Sequence, residues 1–174
     1  MYSAQLDAGL LLLRVVAGST MAAHGYYKFL GGGRIAGTAR WFDSIGMKPG
    51  KLQALLAAST EVGAGLLLLL GLFTPLAGAA FVALMTVASY TVHRGHGFFV
   101  TGNGWEYNLV FATIGVALAA TGPGRWSVDH AIGVDVWNGW WAPAIAAVGG
   151  LAAAAALLGL FFRPPTAVYS GDTV

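Results

Sequence analysis

The chain has no cysteine and little charge: nine Lys and Arg against seven Asp and Glu in 174 residues, or 9%. Without cysteine, this chain forms no disulfide, ligates no iron–sulfur cluster and performs no thiol redox chemistry. The absence of cysteine does not name a compartment. Soluble domains carry about 25% charged residues, so 9% is too little to cover a surface facing water. The net charge is only +2, and the Lys and Arg residues stand near the ends of apolar runs. That pattern suits membrane orientation and gives no nucleic-acid surface. No strand followed by a glycine fingerprint for a flavin or dinucleotide is present. Internal repeats and interrupted helices are also missing, which weighs against a transporter.

What the sequence does have is apolar length. Hydrophobic residues make up 57% of the chain and mean hydropathy is +0.70. Five segments reach the roughly 17–25 residues that span a bilayer as helix: about 6–29, 52–72, 75–93, 105–121 and 141–162. The expected fold is all-α, a polytopic membrane helical bundle. The N-terminal run lacks a basic leader, and Arg14 interrupts it, so it reads as a first membrane helix and not as a signal peptide. "LFTP" is a tight turn in which Pro75 opens the next helix. Between the first two spans, Ile35, Trp41, Phe42, Ile45 and Met47 alternate with Arg34, Arg40 and Asp43, which suits a short interfacial helix. Lys28, Arg34, Arg40, Lys48, Lys51, Arg94 and Arg163 share one membrane side, against Arg125 on the other. The positive-inside rule makes the first side cytoplasmic. The N-terminus is then outside and the C-terminus inside. Trp126, Trp137, Trp140 and Trp141 form an outer aromatic belt, with Tyr26, Tyr27, Phe98, Phe99 and Trp105 on the inner side.

Ionisable residues within the spans are costly and mark functional sites by default. Glu61 lies well inside the second apolar run, flanked by Ala57 and Gly65 in a row of small residues. Depth selects its partner. At 1.5 Å per residue, Glu61 lies roughly 13 Å from the cytoplasmic end, His24 roughly 8 Å and Arg14 roughly 23 Å. Helical side chains lean toward their own N-terminus, so His24 and Glu61 converge while Arg14 and Glu61 diverge. The candidate ligand-binding cluster is therefore His24, Lys28, Glu61, Tyr90, His93 and Glu106. Thr86, Ser89, Tyr90 and His93 give the third span a polar face. Arg14 is expected to reach Asp7, one heptad earlier, or Asp129 and Asp135, as a structural intramembrane pair. A metal held by His24, His93, Glu61 and Glu106, or a haem between His24 and His93, is chemically reasonable, but the reading adopts neither.

Arg14 followed by "HGYYKF", the block "TEVGAGLLLLLGLFTPLAG", Glu106 in "GNGWEYNL" and "GPGRWSVDHAIG" occur in an order that resembles the DoxX family of small prokaryotic membrane proteins. The resemblance covers about residues 6–135. It implies a four-helix core (residues 1–135), so the segment 136–162 reads as an additional transmembrane helix, followed by a tail at 163–174. It carries Arg14, His24, Lys28, Glu61 and Glu106 over as the family's polar positions, and transfers nothing for His93 or His96. DoxX-like proteins are associated with membrane redox complexes. One relative, the small subunit of thiosulfate:quinone oxidoreductase, suggests quinone chemistry. Others are linked to oxidative-stress complexes with superoxide dismutase and a sulfurtransferase, and a distant eukaryotic relative is a cargo receptor. The expectation is thus an accessory subunit of a redox complex in the cell membrane. It would associate with lipid, with other redox subunits or with copies of itself, and hold a quinone as its candidate cofactor. The alternatives are a scaffold or lipid-binding protein, and a small proton-coupled transporter. The sequence leaves direct catalysis open.

Overall fold

Regular structure in a computed structural model, which describes residues 3–134 and 139–164, is helical. In chain order α1 is Ala4–Leu30, α2 Arg34–Ser44, α3 Gly50–Leu70, α4 Thr74–His96, α5 Glu106–Thr121, α6 Val128–Ala131 and α7 Trp141–Phe161. Four of them, α1, α3, α4 and α7, are long and apolar enough to cross a membrane, whereas α5 is apolar but has 16 residues. The sequence reading expects five crossings; by length and hydropathy, four helices qualify. The segment expected to be a short amphipathic helix is α2. Asp135, Trp137 and nearly all of the expected tail lie outside the described residues.

The ends of the helices follow from local chemistry. Ser3 caps α1, its Oγ accepting from the Leu6 N–H at 3.2 Å. Asp43, at the end of α2, accepts from the Gly50 N–H at 2.8 Å and so caps α3. Gly71 ends α3 at φ +64, with the Leu72 N–H on the Leu67 carbonyl and the Gly71 N–H on the Leu68 carbonyl. This pairing satisfies carbonyls that the helix itself leaves free. Phe73 then takes a left-handed conformation at φ 47, which is rare for an aromatic residue, and Pro75 follows in the first turn of α4.

Between helices, glycine sets the distance. α1 crosses α3 where Gly18 faces Gly65: a Cβ on Gly18 would stand 2.6 Å from the Gly65 carbonyl oxygen, and one on Gly65 2.5 Å from that of Gly18. α4 meets α5 at Gly78 and Gly115, and α7 at Gly150, beside the Ala79 carbonyl. Lipid gives helices no hydrophobic reason to associate, so close packing of this kind holds them together. Around these crossings Leu10, Ala17, Met21, Leu68, Phe81, Phe111 and Leu118 form the core. Leu12, Leu13, Val16, Leu66, Leu70 and Leu151 point outward and are exposed, as lipid-facing residues should be. At one end of the bundle, the loop after α2 is tied to the end of α7. The Lys48 N–H donates to Phe161 O at 3.0 Å and the Arg163 N–H to Gly46 O at 2.7 Å.

Candidate functional site

Lys28 lies near the end of α1 and Glu61 halfway along α3. Lys28 Nζ donates to Glu61 Oε2 at 2.5 Å, and both side chains are largely shielded, 21% and 11% exposed. Bringing either charge out of water alone would be expensive; the opposite charge and the hydrogen bond offset that cost. The partner expected for Glu61 was His24. That expectation is corrected: His24 is exposed, and its ring stands against Tyr107, centroids 6.3 Å apart. The four-carbon stem of Lys28 is long enough to reach back along α1, and its amine displaces the imidazole as partner.

Lys28 and Glu61 form part of the wall of a cavity of about 420 Å³ between α3, α4 and α7, closed at one end by α2 and Met47. Its size lies within the range of small-molecule sites. Alanines, among them Ala57, Ala80, Ala83 and Ala153, create the room. Besides the ion pair, the lining includes Gln53, Thr60 and Thr91. The Thr91 hydroxyl is spent on the Val87 carbonyl at 2.8 Å. Gln53 is 2% exposed, and its Nε2 has no hydrogen-bond acceptor among the described residues.

The opposite end of the bundle is locked by the segment after α5. Asp7 does not meet Arg14, contrary to the sequence reading. Its carboxylate accepts from the Arg125 N–H at 2.9 Å and from Arg125 Nε at 2.6 Å. Two turns of α1 separate Asp7 from Arg14, roughly 10 Å, and both side chains lean the same way, so the pair cannot close. Arg14 is fully buried instead: Nη2 donates to the Trp126 carbonyl at 2.5 Å, and the guanidinium lies against Gly71. A cation there meets the negative end of α3, and Asp129 adds an attractive charge. Asp129 itself accepts from the Phe73 N–H at 2.8 Å, the Thr74 N–H at 3.1 Å and Thr74 Oγ1 at 3.0 Å. It thereby caps α4 from 55 residues further along the chain. The expected divergence of Arg14 from Glu61 is what the geometry shows.

The other candidate residues each have partners away from the ion pair. Tyr90 packs edge-on against Phe162, centroids 5.6 Å apart, with the Arg94 guanidinium 4.1 Å over its ring. His93 Nδ1 is 2.6 Å from the Asn103 carbonyl. Glu106 accepts from the Val100 N–H at 2.9 Å and fixes the loop before α5. Of the six, Lys28 and Glu61 are joined directly, His24 adds an attractive charge to Glu61 without bonding it, and Tyr90, His93 and Glu106 make their contacts elsewhere. Among the described residues, no three His, Asp or Glu side chains come together as a metal site would require. Sequence reasoning missed two buried amides: Gln53, and Asn108, whose Nδ2 donates to Ser89 Oγ at 3.0 Å. Each is a lone amide in an apolar run, a signal that was visible but carries no charge to draw attention.

Long apolar helices, lipid-facing leucines and a buried ion pair beside a cavity define a multi-pass helical membrane protein. Residues 9–94 match the DoxX family model, so the resemblance read from the sequence holds over that stretch. The match takes in Arg14, the Lys28–Glu61 pair and the α3–α4 turn, and ends before Glu106 and Asp129. Neither the curated proteins nor the solved structures compared with the chain gave a match.

Proposed function

We propose that this chain is an integral membrane accessory subunit of a redox assembly in the cell membrane, holding a quinone or another lipid among its helices. The observation that carries the reading is the apolar cavity with Lys28 and Glu61 in its wall. A titratable carboxylate ion-paired beside a hydrophobic chamber is suited to relay a proton, by way of the Lys28 ammonium, to a reducible carbonyl. A scaffold role is the second reading, favoured by the closed contacts that Asp7, Asp43, Glu106 and Asp129 make within the fold. The test is to purify the protein gently with its native partners, extract it with organic solvent and identify bound lipids by mass spectrometry. A quinone should be found. Glu61→Gln, which keeps the shape and removes the titratable proton, should impair turnover of the assembly more than retention of the lipid. No quinone, together with full turnover in the variant, leaves the scaffold.

The same reading has α5 cross the membrane as a fifth span. Support comes from where its ends sit: Glu106 follows the loop that closes α4, whereas Arg125 binds Asp7 near the start of α1, at the other end of the bundle. Sixteen helical residues cover roughly 24 Å. Cysteines introduced singly at Ser44 and Ile132, both exposed, should react with an impermeant thiol reagent from opposite sides, Ser44 from the cytoplasm. Labelling from one side only would remove the α5 crossing.

A further inference from the structure

We infer that the cavity between α3, α4 and α7 takes a neutral amphiphile through a carbonyl oxygen held by Gln53 Nε2. The inference rests on the cavity being a lipid site and not on the redox role. Two observations carry it. The first is the chamber itself, about 420 Å³ and walled mainly by alanine and larger aliphatic side chains. The second is Gln53, a lining residue 2% exposed whose Nε2 meets no acceptor among the described residues. Buried donors are almost always paired, so this amide calls for an acceptor that the described residues do not supply.

The choice of a neutral head follows from the ion pair. Lys28 is bonded to Glu61 at 2.5 Å, so the wall offers no net charge to an anion or a cation. Gln53 lies in the first turn of α3, and Glu61 is eight residues further on, roughly 12 Å along the axis. The donor therefore stands toward the end of the chamber closed by α2 and Met47. Past the ion pair, Ala79, Ala80 and Ala83 of α4 and Ala153 of α7 continue the apolar wall. A head at Gln53 places the chain along those alanines. A quinone ring and an acyl ester both present the required oxygen, and the experiment distinguishes them.

The protein in lipid nanodiscs is titrated with decyl-benzoquinone, methyl dodecanoate and sodium dodecanoate, with thermal midpoint as the readout, because a ligand of the folded state raises it. At least one of the first two should raise the midpoint of the native protein, and the one that does so at lower concentration identifies the source. Gln53→Met keeps length and removes the donor, and should weaken that response at least tenfold. Ala83→Leu fills the chamber while leaving Gln53 in place, and should abolish the response even if the Gln53 variant does not fold. An unchanged response in Gln53→Met overturns the inference while leaving a lipid site standing; an unchanged response in Ala83→Leu places binding outside the chamber and overturns both. Tighter binding of dodecanoate than of its ester also overturns the inference, moving recognition to Lys28. No response of the native protein to any probe removes the lipid reading of the cavity together with the inference.

Discussion

Replacing Gly18 by leucine should cost the folded protein about 3 kcal/mol, the upper end of what overpacking costs. The reason lies in what surrounds that α-carbon. A Cβ there would meet the Gly65 carbonyl oxygen at 2.6 Å and the Leu69 amide nitrogen at 2.7 Å. Both belong to the α3 backbone, which cannot rotate aside as a side-chain tip can. α1 would have to move away from α3, and the contacts of Leu10, Ala17 and Met21 with Ala64 and Leu68 would loosen with it. Gly9 and Gly63 supply the control, because a Cβ at either meets nothing within 4 Å. Alanine at those two positions should be neutral or slightly stabilising, since glycine is the poorer helix former. Unfolding in mixed detergent micelles measures all three. A Gly18→Leu protein within 0.5 kcal/mol of the native one would show that the α1–α3 crossing is not held at this distance.

The second large effect is expected at Asp129. Asp129→Ala should destabilise the bundle by about 3–5 kcal/mol, the range for breaking a buried charged network by removing one partner. Three donors lose their acceptor at once: two backbone N–H groups at the start of α4 and the Thr74 hydroxyl. The buried Arg14 also loses an attractive charge, while its Nε and Nη1 already have no acceptor among the described residues. Thr74→Ala isolates the hydroxyl and should cost only about 1 kcal/mol. Asp129→Asn should fall between the two, because the carboxamide has one accepting oxygen in place of two. Equal losses for Asp129→Ala and Thr74→Ala in the same unfolding assay would mean that the carboxylate does not cap α4.

The helices were easy to read because hydropathy over twenty residues is a local property. Even α2 was visible, as charges alternating with aromatic residues. The pairing of charges was less legible, and two cases show why. Lys28 stands a heptad after Met21, a buried residue of α1, and so on nearly the same face. Lys28 belongs to the expected cluster, but depth and side-chain lean favour His24 as the partner of Glu61, and the reach of the lysine stem decided the contact. The Asp7–Arg125 bond spans 118 residues and obeys no period at all. It depends on a loop whose Gly122 and Gly124 take positive φ, which composition cannot place. Gln53 is hard to read for another reason: an uncharged donor in an apolar run has little in the sequence to set it apart.

The chamber also has a place in time. Its walls come from residues as early as Lys28 and as late as Leu157, and its closed end leans on a backbone pairing between Gly46–Lys48 and Phe161–Arg163. Chains are made from the N-terminus and fold as they emerge, so α1, α3 and α4 can settle against one another while α7 is still unmade. Until then the flank of α4 that α7 will cover faces lipid, and the compartment beside Lys28 and Glu61 has only part of its wall. A ribosome stalled before Gly150 would leave a membrane-inserted chain with its ion pair but with the α7 side of that wall missing. The volume is complete only once α7 has left the ribosome.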